Sequence, residues 1–213
     1  MNRNEKFVIT INRELGSGGR TVGRMLAEKL DVPFYDKALI KALQERYNLS
    51  VNEIERLKGQ SNSWWANFKR VVGLGQGVNP NNFVNLDDDE PETLTTEMIF
   101  KAEKEILLGI AQDESCVIAG RSGFFVLKSH PNHVSILIQA PMESRIKRVM
   151  ERQNMSEDEA KKTIAKIDKM REEYVKNYAH TSRYDTRNYD LVIKMDGSKT
   201  EEEVANAILA FIG

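Results

Sequence analysis

The chain has 213 residues, with 31 Lys and Arg against 32 Asp and Glu, a formal net charge of −1 and a pI near 6.4. That balance gives no global basic field for nucleic acid or anionic lipid, and the single cysteine, Cys116, excludes an internal disulfide. Hydrophobic content of 40% with 30% charged residues suits one α/β domain over residues 1–213; MNRNEKF lacks a signal-peptide apolar region and no run is long enough to span a bilayer, so the expectation is a cytoplasmic protein without membrane or nucleic-acid partners.

Phe7, Val8, Ile9, Thr10 and Ile11 read as a buried strand that stops at Gly16, Ser17, Gly18 and Gly19. A helix follows, with Val22, Met25, Leu26 and Leu30 on one face. Strand, glycine loop and helix are the layout of a phosphate site: glycines let the backbone curl around an anion, and the helix N-terminus adds partial positive charge. Thr21 is placed to reach a magnesium ion on the phosphates. The pattern departs from G-x-x-x-x-G-K-[ST]. With Thr21 as the hydroxyl residue and one residue intervening, Gly18 is the second glycine, Gly19 falls on the lysine position and Arg13 on the first glycine, leaving Arg20 as the nearest cation. An ordinary βα turn accounts for the same residues.

Residues 32–36 read as a short strand ending in Asp36, which caps a helix carrying Leu39, Ile40, Leu43 and Tyr47. Ser50 and Glu53 form a capping-box pattern. Residues 58–92 read as an insertion or mobile flap, where Trp64, Trp65 and Phe68 suit a small subdomain or a homodimer contact. A long amphipathic helix spans 93–112, and a third strand, 116–119, runs into Gly120 and Arg121. His130 and His133 fall in a loop, without metal-ligand company. The apolar run 134–140 suits a parallel strand covered on both faces, and Pro141 opens a helix bearing Arg145, Arg148 and Arg152. Those arginines can close on phosphates or pair with Glu143 and Glu151. Ser156 and Glu159 cap a charged helix to about Tyr178, a polar segment holds Arg183, Asp185 and Arg187, residues 191–195 form a fifth strand, and Thr200 and Glu203 cap the last helix. The alternation predicts a parallel sheet with helices on both faces, and the glycine loop, Asp36 and Arg121, each following a strand, meet at its carboxyl rim.

In that order the motifs ITINRELGSGGRTVG, VPFYDKALI, VIAGRSGFFVL, SILIQAPMESRIKRVMERQ, IDKMREEY and DLVIKMDGS resemble the cytidylate-kinase-like family of phosphate-loop nucleoside monophosphate kinases. The resemblance implies a three-layer P-loop kinase fold: a five-stranded parallel sheet, the inserted segment at about 58–92, and an arginine-bearing lid at about 142–188. It implies ATP as donor, magnesium on its phosphates, and a nucleoside monophosphate, cytidylate first, as acceptor. Carried over, Gly16 to Thr21 are the phosphate loop, Asp36 lies beside the acceptor, Arg121 grips its phosphate, Asp168 and Arg171 resemble a D-x-x-R pair contacting base and phosphate, and Arg145, Arg148 and Arg152 resemble the arginines of the closing lid; apart from the resemblance, Arg20 in the first turn of the helix is expected to do the work of the missing lysine on the transferring phosphate, or else to face solvent. The chain departs from the family at Gly19 in place of the lysine, at Ala119 and Ser122 in place of aspartates, and at Lys37-Ala38 after Asp36. The alternatives are a kinase of another small metabolite and a non-catalytic nucleotide-binding or sensing module.

Overall fold

Alternation along the first strand organises the sheet. In β1 (Val8–Arg13), Ile9 and Ile11 turn to one face while Thr10 and Asn12 turn to the other, and only Arg13 is less than buried. The computed structural model describes residues 1–36, 96–120 and 122–213. Its further strands are β2 (Phe34–Asp36), β3 (Cys116–Ala119), β4 (His133–Gln139) and β5 (Leu191–Lys194), in the order β2-β3-β1-β4-β5. β1 pairs in parallel with β3 and β4, and β4 with β5. The chain leaves β1 towards β2 on one side but leaves β3 across β1 towards β4 on the other, so the turns following β1 and β3 diverge, which opens a crevice at their carboxyl ends.

On the Ile9 and Ile11 face lie α1 (Gly19–Leu30) and α6 (Glu201–Ile212). Val22, Leu26 and Ala27 of α1 meet Val204, Ala205, Ile208 and Ile212 of α6 over Val117, Val134, Ile136 and Ile138. The opposite face carries a one-turn helix, α3 (Gly123–Val126), set so close that a Cβ on Gly123 would lie 2.9 Å from Thr10 Cγ2. α4 (Met142–Gln153) and α5 (Glu157–Ala179) form a hairpin with its own apolar cluster of Ile146, Val149, Ala160 and Ile164, into which Leu15 of the glycine loop is packed. Leu15, partly buried against this cluster, ties the loop to the hairpin.

The chain divides into two compact units, Met1–Phe34 with Ser115–Gly213, and Tyr35–Glu114. In the second, α2 (Thr96–Asp113) buries Ala102, Ile106, Leu107 and Ile110, and Tyr35 Oη donates to Glu114 at 2.6 Å. The helix expected after Asp36, the capping box at Ser50, the insertion at 58–92 with its aromatic cluster, and Arg121 lie outside the described residues. Two expectations shift slightly: His133 is the first residue of β4 rather than part of a loop, and Pro141 is the N-cap of α4 rather than its first turn. No helix among the described residues is long and apolar enough to cross a membrane.

Candidate phosphate site at the carboxyl end of β1

Gly16 and Gly18 both take left-handed backbone, at φ +80° and +84°. A Cβ on Gly16 would also lie 2.7 Å from the backbone oxygen of Arg145, so conformation and space both demand glycine. Around them, every carbonyl of residues 13–16 has a protein donor. The Arg13 oxygen accepts from Arg171 Nη1 at 3.2 Å and from Arg183 Nη2, and the Glu14 oxygen accepts from Ser17 N at 3.2 Å. The Leu15 oxygen accepts from Arg145 Nε at 2.7 Å and the Gly16 oxygen from Arg148 Nη1 at 2.8 Å.

Peptide planarity turns these grips into a binding geometry. The Leu15 carbonyl and the Gly16 N–H share one trans peptide and point opposite ways, so an arginine pulling the carbonyl towards α4 aims the N–H away from it. Among the described residues, the N–H groups of Gly16 and Gly18 meet no protein acceptor. Ser17, fully buried, braces the turn by accepting from Gly19 N at 3.4 Å. Helix α1 begins at Gly18 with no side-chain cap and no acid in its first turn. Its positive end faces the Arg148–Glu201 pair, with a Cβ on Gly18 lying 3.2 Å from Glu201 Oε1 and 3.4 Å from Arg148 Cζ, and Arg152 Nη2 donates to Thr21 Oγ1 at 2.9 Å. Unpaired N–H groups, a bare dipole end and surrounding arginines suit a polyanion.

Behind the loop, one carboxylate holds the arrangement. Asp168 Oδ1 accepts from Leu15 N at 3.1 Å and stands 3.4 Å from Arg183 Nη1 and 3.6 Å from Arg171 Nη1, while Oδ2 accepts from Arg145 Nη2. Glu14 adds a second acid, 3.5 Å from Arg145 Nη1, and accepts from Ala140 N at 3.0 Å. Arg183 is 0% exposed; it also reaches Asn12 Oδ1 at 3.3 Å, and its Nε has no partner among the described residues. Asn12 in turn donates to Tyr189, whose phenol donates to the Arg183 carbonyl at 2.8 Å and is pushed up to about 12, chiefly by burial.

The expected site residues lie as follows. Arg145 and Arg148, expected to close on phosphates or to pair with Glu143 and Glu151, grip loop carbonyls from behind and pair with Glu14, Asp168 and Glu201. Asp168 and Arg171, expected at the acceptor, brace the same loop. Arg20 lies half-buried in the first turn of α1. Asp36 ends β2, buried, in the second unit. Glu14, Asn12, Arg183, Tyr189 and Glu201 escaped sequence reading; the available signals were Asn12, a polar residue closing an apolar strand, and Glu14 within the loop.

Residues 8–197 match the sequence model described as the cytidylate kinase-like family. The chain belongs to this family. A cytidylate kinase-like chain of this kind is also similar to the cytidylate kinase of Sulfolobus acidocaldarius, with 25% identity over 205 residues, 96% of this chain and 93% of that one. A crystal structure of a Eubacterium ventriosum protein shares 25% identity at a TM-score of 0.64, covering 97% of this chain and 98% of the other. A shikimate kinase structure from Bacteroides thetaiotaomicron superposes at a TM-score of 0.52 with 15% identity, covering 97% and 98%, a likeness of fold alone. Cytidylate kinase-like membership and these neighbours establish a kinase-like P-loop α/β fold.

Proposed function

We propose that the protein transfers the terminal phosphoryl group of ATP to a nucleoside monophosphate, with cytidylate the first acceptor to test. The observation that carries this reading is the start of α1, without a side-chain cap and without acids in its first turn, where the Gly16 N–H is turned outward by Arg145 on the Leu15 carbonyl and the Gly18 N–H meets no acceptor among the described residues. Phosphoryl transfer needs little covalent help from a protein; it needs donor phosphates held rigidly, charge neutralised and water kept out. Preorganised N–H groups do the first task, because the loop is held by side chains from α4, α5 and α6 before any ligand arrives.

Magnesium would supply charge neutralisation on the donor phosphates. Thr21 is the residue to meet it, once the Arg152 guanidinium withdraws from its hydroxyl. Arg121 and Asp36 remain the proposed acceptor contacts. Gly19 at the lysine position favours the second reading, a nucleotide-binding module without turnover. ADP release from ATP and magnesium across a panel of nucleoside monophosphates tests both. Turnover with one acceptor well above the acceptor-free rate supports the kinase. Tight ATP binding without transfer to any acceptor supports the binding module, and no nucleotide binding overturns both.

A further inference from the structure

A glycine occupies the lysine position of this loop, and the structure gives a steric reason. A Cβ built on Gly19 would lie 2.9 Å from Arg13 Cβ, 3.5 Å from Arg13 Cδ and 3.2 Å from Ile138 Cβ. Gly19 is in the helical region, without the positive φ of Gly16 and Gly18, so its backbone conformation does not call for glycine. Space does. The stem of Arg13 runs through the volume in which a residue-19 side chain would begin. Arg13 itself stands at the position that the phosphate-loop pattern gives to its first glycine. Two departures from the pattern are thus one: an arginine has entered at the strand end, and the helix has given up its side chain to admit it.

From this we infer that Arg13 is the phosphate-binding cation of the loop, reaching the donor phosphates from the end of β1 in place of a lysine from the start of α1. The inference rests on the phosphotransferase reading above. Three features support it. The Arg13 stem crosses the N-terminal turn of α1, where the dipole is positive, the helix's own first turn carries no acid and no side chain caps it. The peptide of Arg13 is fixed independently of its side chain, since its carbonyl is held by Arg171 and Arg183. An arginine there offers a planar, permanently charged fork suited to two phosphate oxygens, which a lysine lacks.

The test is ATP binding by calorimetry, with and without magnesium, alongside turnover and thermal denaturation. In the wild-type protein ATP must bind; if it does not, the phosphotransferase reading falls. With ATP bound by wild type, Arg13→Ala is expected to weaken affinity by about tenfold or more, the loss of a hydrogen-bonded charge on phosphate, with kcat lowered further. Arg20→Ala is expected to weaken affinity less than Arg13→Ala does. Gly19→Lys alone should also weaken binding, because its stem meets Arg13, whereas Arg13→Gly with Gly19→Lys, which restores the first glycine and the lysine of the pattern, should bind ATP better than either single change. That reciprocal recovery is the result a merely structural arginine would not produce. ATP affinity and turnover in Arg13→Ala equal to wild type would overturn the inference while leaving the phosphotransferase reading standing. So would a larger loss in Arg20→Ala than in Arg13→Ala. If the paired variant unfolds, Arg13→Lys decides: partial recovery of affinity over Arg13→Ala supports the role, and none overturns it.

Discussion

Three long helices of this protein begin in two different ways. α5 and α6 open with complete capping boxes: Ser156 accepts from Glu159 N while Glu159 reaches back to Ser156 N at 2.8 Å, and Thr200 and Glu203 repeat the arrangement at 2.8 Å. Each also has three acids in its first turn. α1 has none of this; its cap is Gly18, its first turn is without acids, and arginines gather around it. The chain can close a helix start when closure is useful. At α1 it omits about 1 kcal/mol of capping. α4 also starts without a side-chain cap, at Pro141, but carries Glu143 in its first turn; α1 has neither cap nor acid there, which marks the place where a ligand is expected to complete the structure.

The contrast can be broken most severely at Asp168. Removing its charge with Asp168→Asn leaves Arg145, Arg171 and Arg183 around an uncharged group, two of them at 5% and 0% exposure. The expected cost is about 3–5 kcal/mol in denaturant unfolding, with ATP affinity lost in parallel. Gly16→Ala should come next: its Cβ meets the Arg145 backbone and its φ is left-handed, so a loss of about 2 kcal/mol accompanied by a disproportionate loss of ATP binding is expected. Ser156→Ala and Thr200→Ala should each lower stability by about 1 kcal/mol and leave ATP affinity unchanged. Equal effects of these changes on nucleotide binding would erase the distinction between the two kinds of helix start.

Acid titration sharpens the same comparison without mutation. Hydrogen bonds within the boxes hold the Glu159 and Glu203 carboxyls below 4.5, so their stabilisation is present above that value and is lost as pH falls through their lowered folded values. α1 has no such group. A separate, higher window belongs to His133, whose imidazole burial pulls from 6.5 to about 4 against the opposing charge of Asp190, with His130 adding to the lowering. Thr10 Oγ1 lies 2.7 Å from its Nε2 on the face away from α1. The unfolded chain binds the extra proton between about pH 6.5 and 4, so stability should decline as pH falls through that range. Melting temperatures taken from pH 7.5 downwards should show this decline, and His133→Gln should flatten it.

Local chemistry was legible from the sequence where it is carried by neighbours in the chain. Both capping boxes, the strand and glycine loop, and the apolar run of β4 follow from spacings of two to four residues, and the structure has them where the pattern placed them. The partners of the arginines were not legible. Arg145 was read against Glu143, two residues away, whereas its partners are Glu14 and Asp168, 131 and 23 residues distant. Nothing local distinguishes a guanidinium facing water from one folded beneath a loop; that choice is made by α4 and α5 packing as a hairpin around Leu15. Arg183 is the extreme case, sitting in a polar stretch yet fully buried.

The support behind the glycines also bears on how portable the loop is. The carbonyls of Arg13, Leu15 and Gly16 and the Leu15 N–H are gripped by residues at 145, 148, 168, 171 and 183, all in the last third of the chain. A short peptide or graft carrying only residues 12–21 would keep every glycine and the two contacts of Ser17 within the loop, and would lose every brace from outside it. Any truncation removing the last third would likewise leave the sheet's first strand intact and its turn shapeless. The motif that reads as a continuous stretch is, as a working object, assembled from both ends of the polypeptide, and neither end can be exchanged without the other.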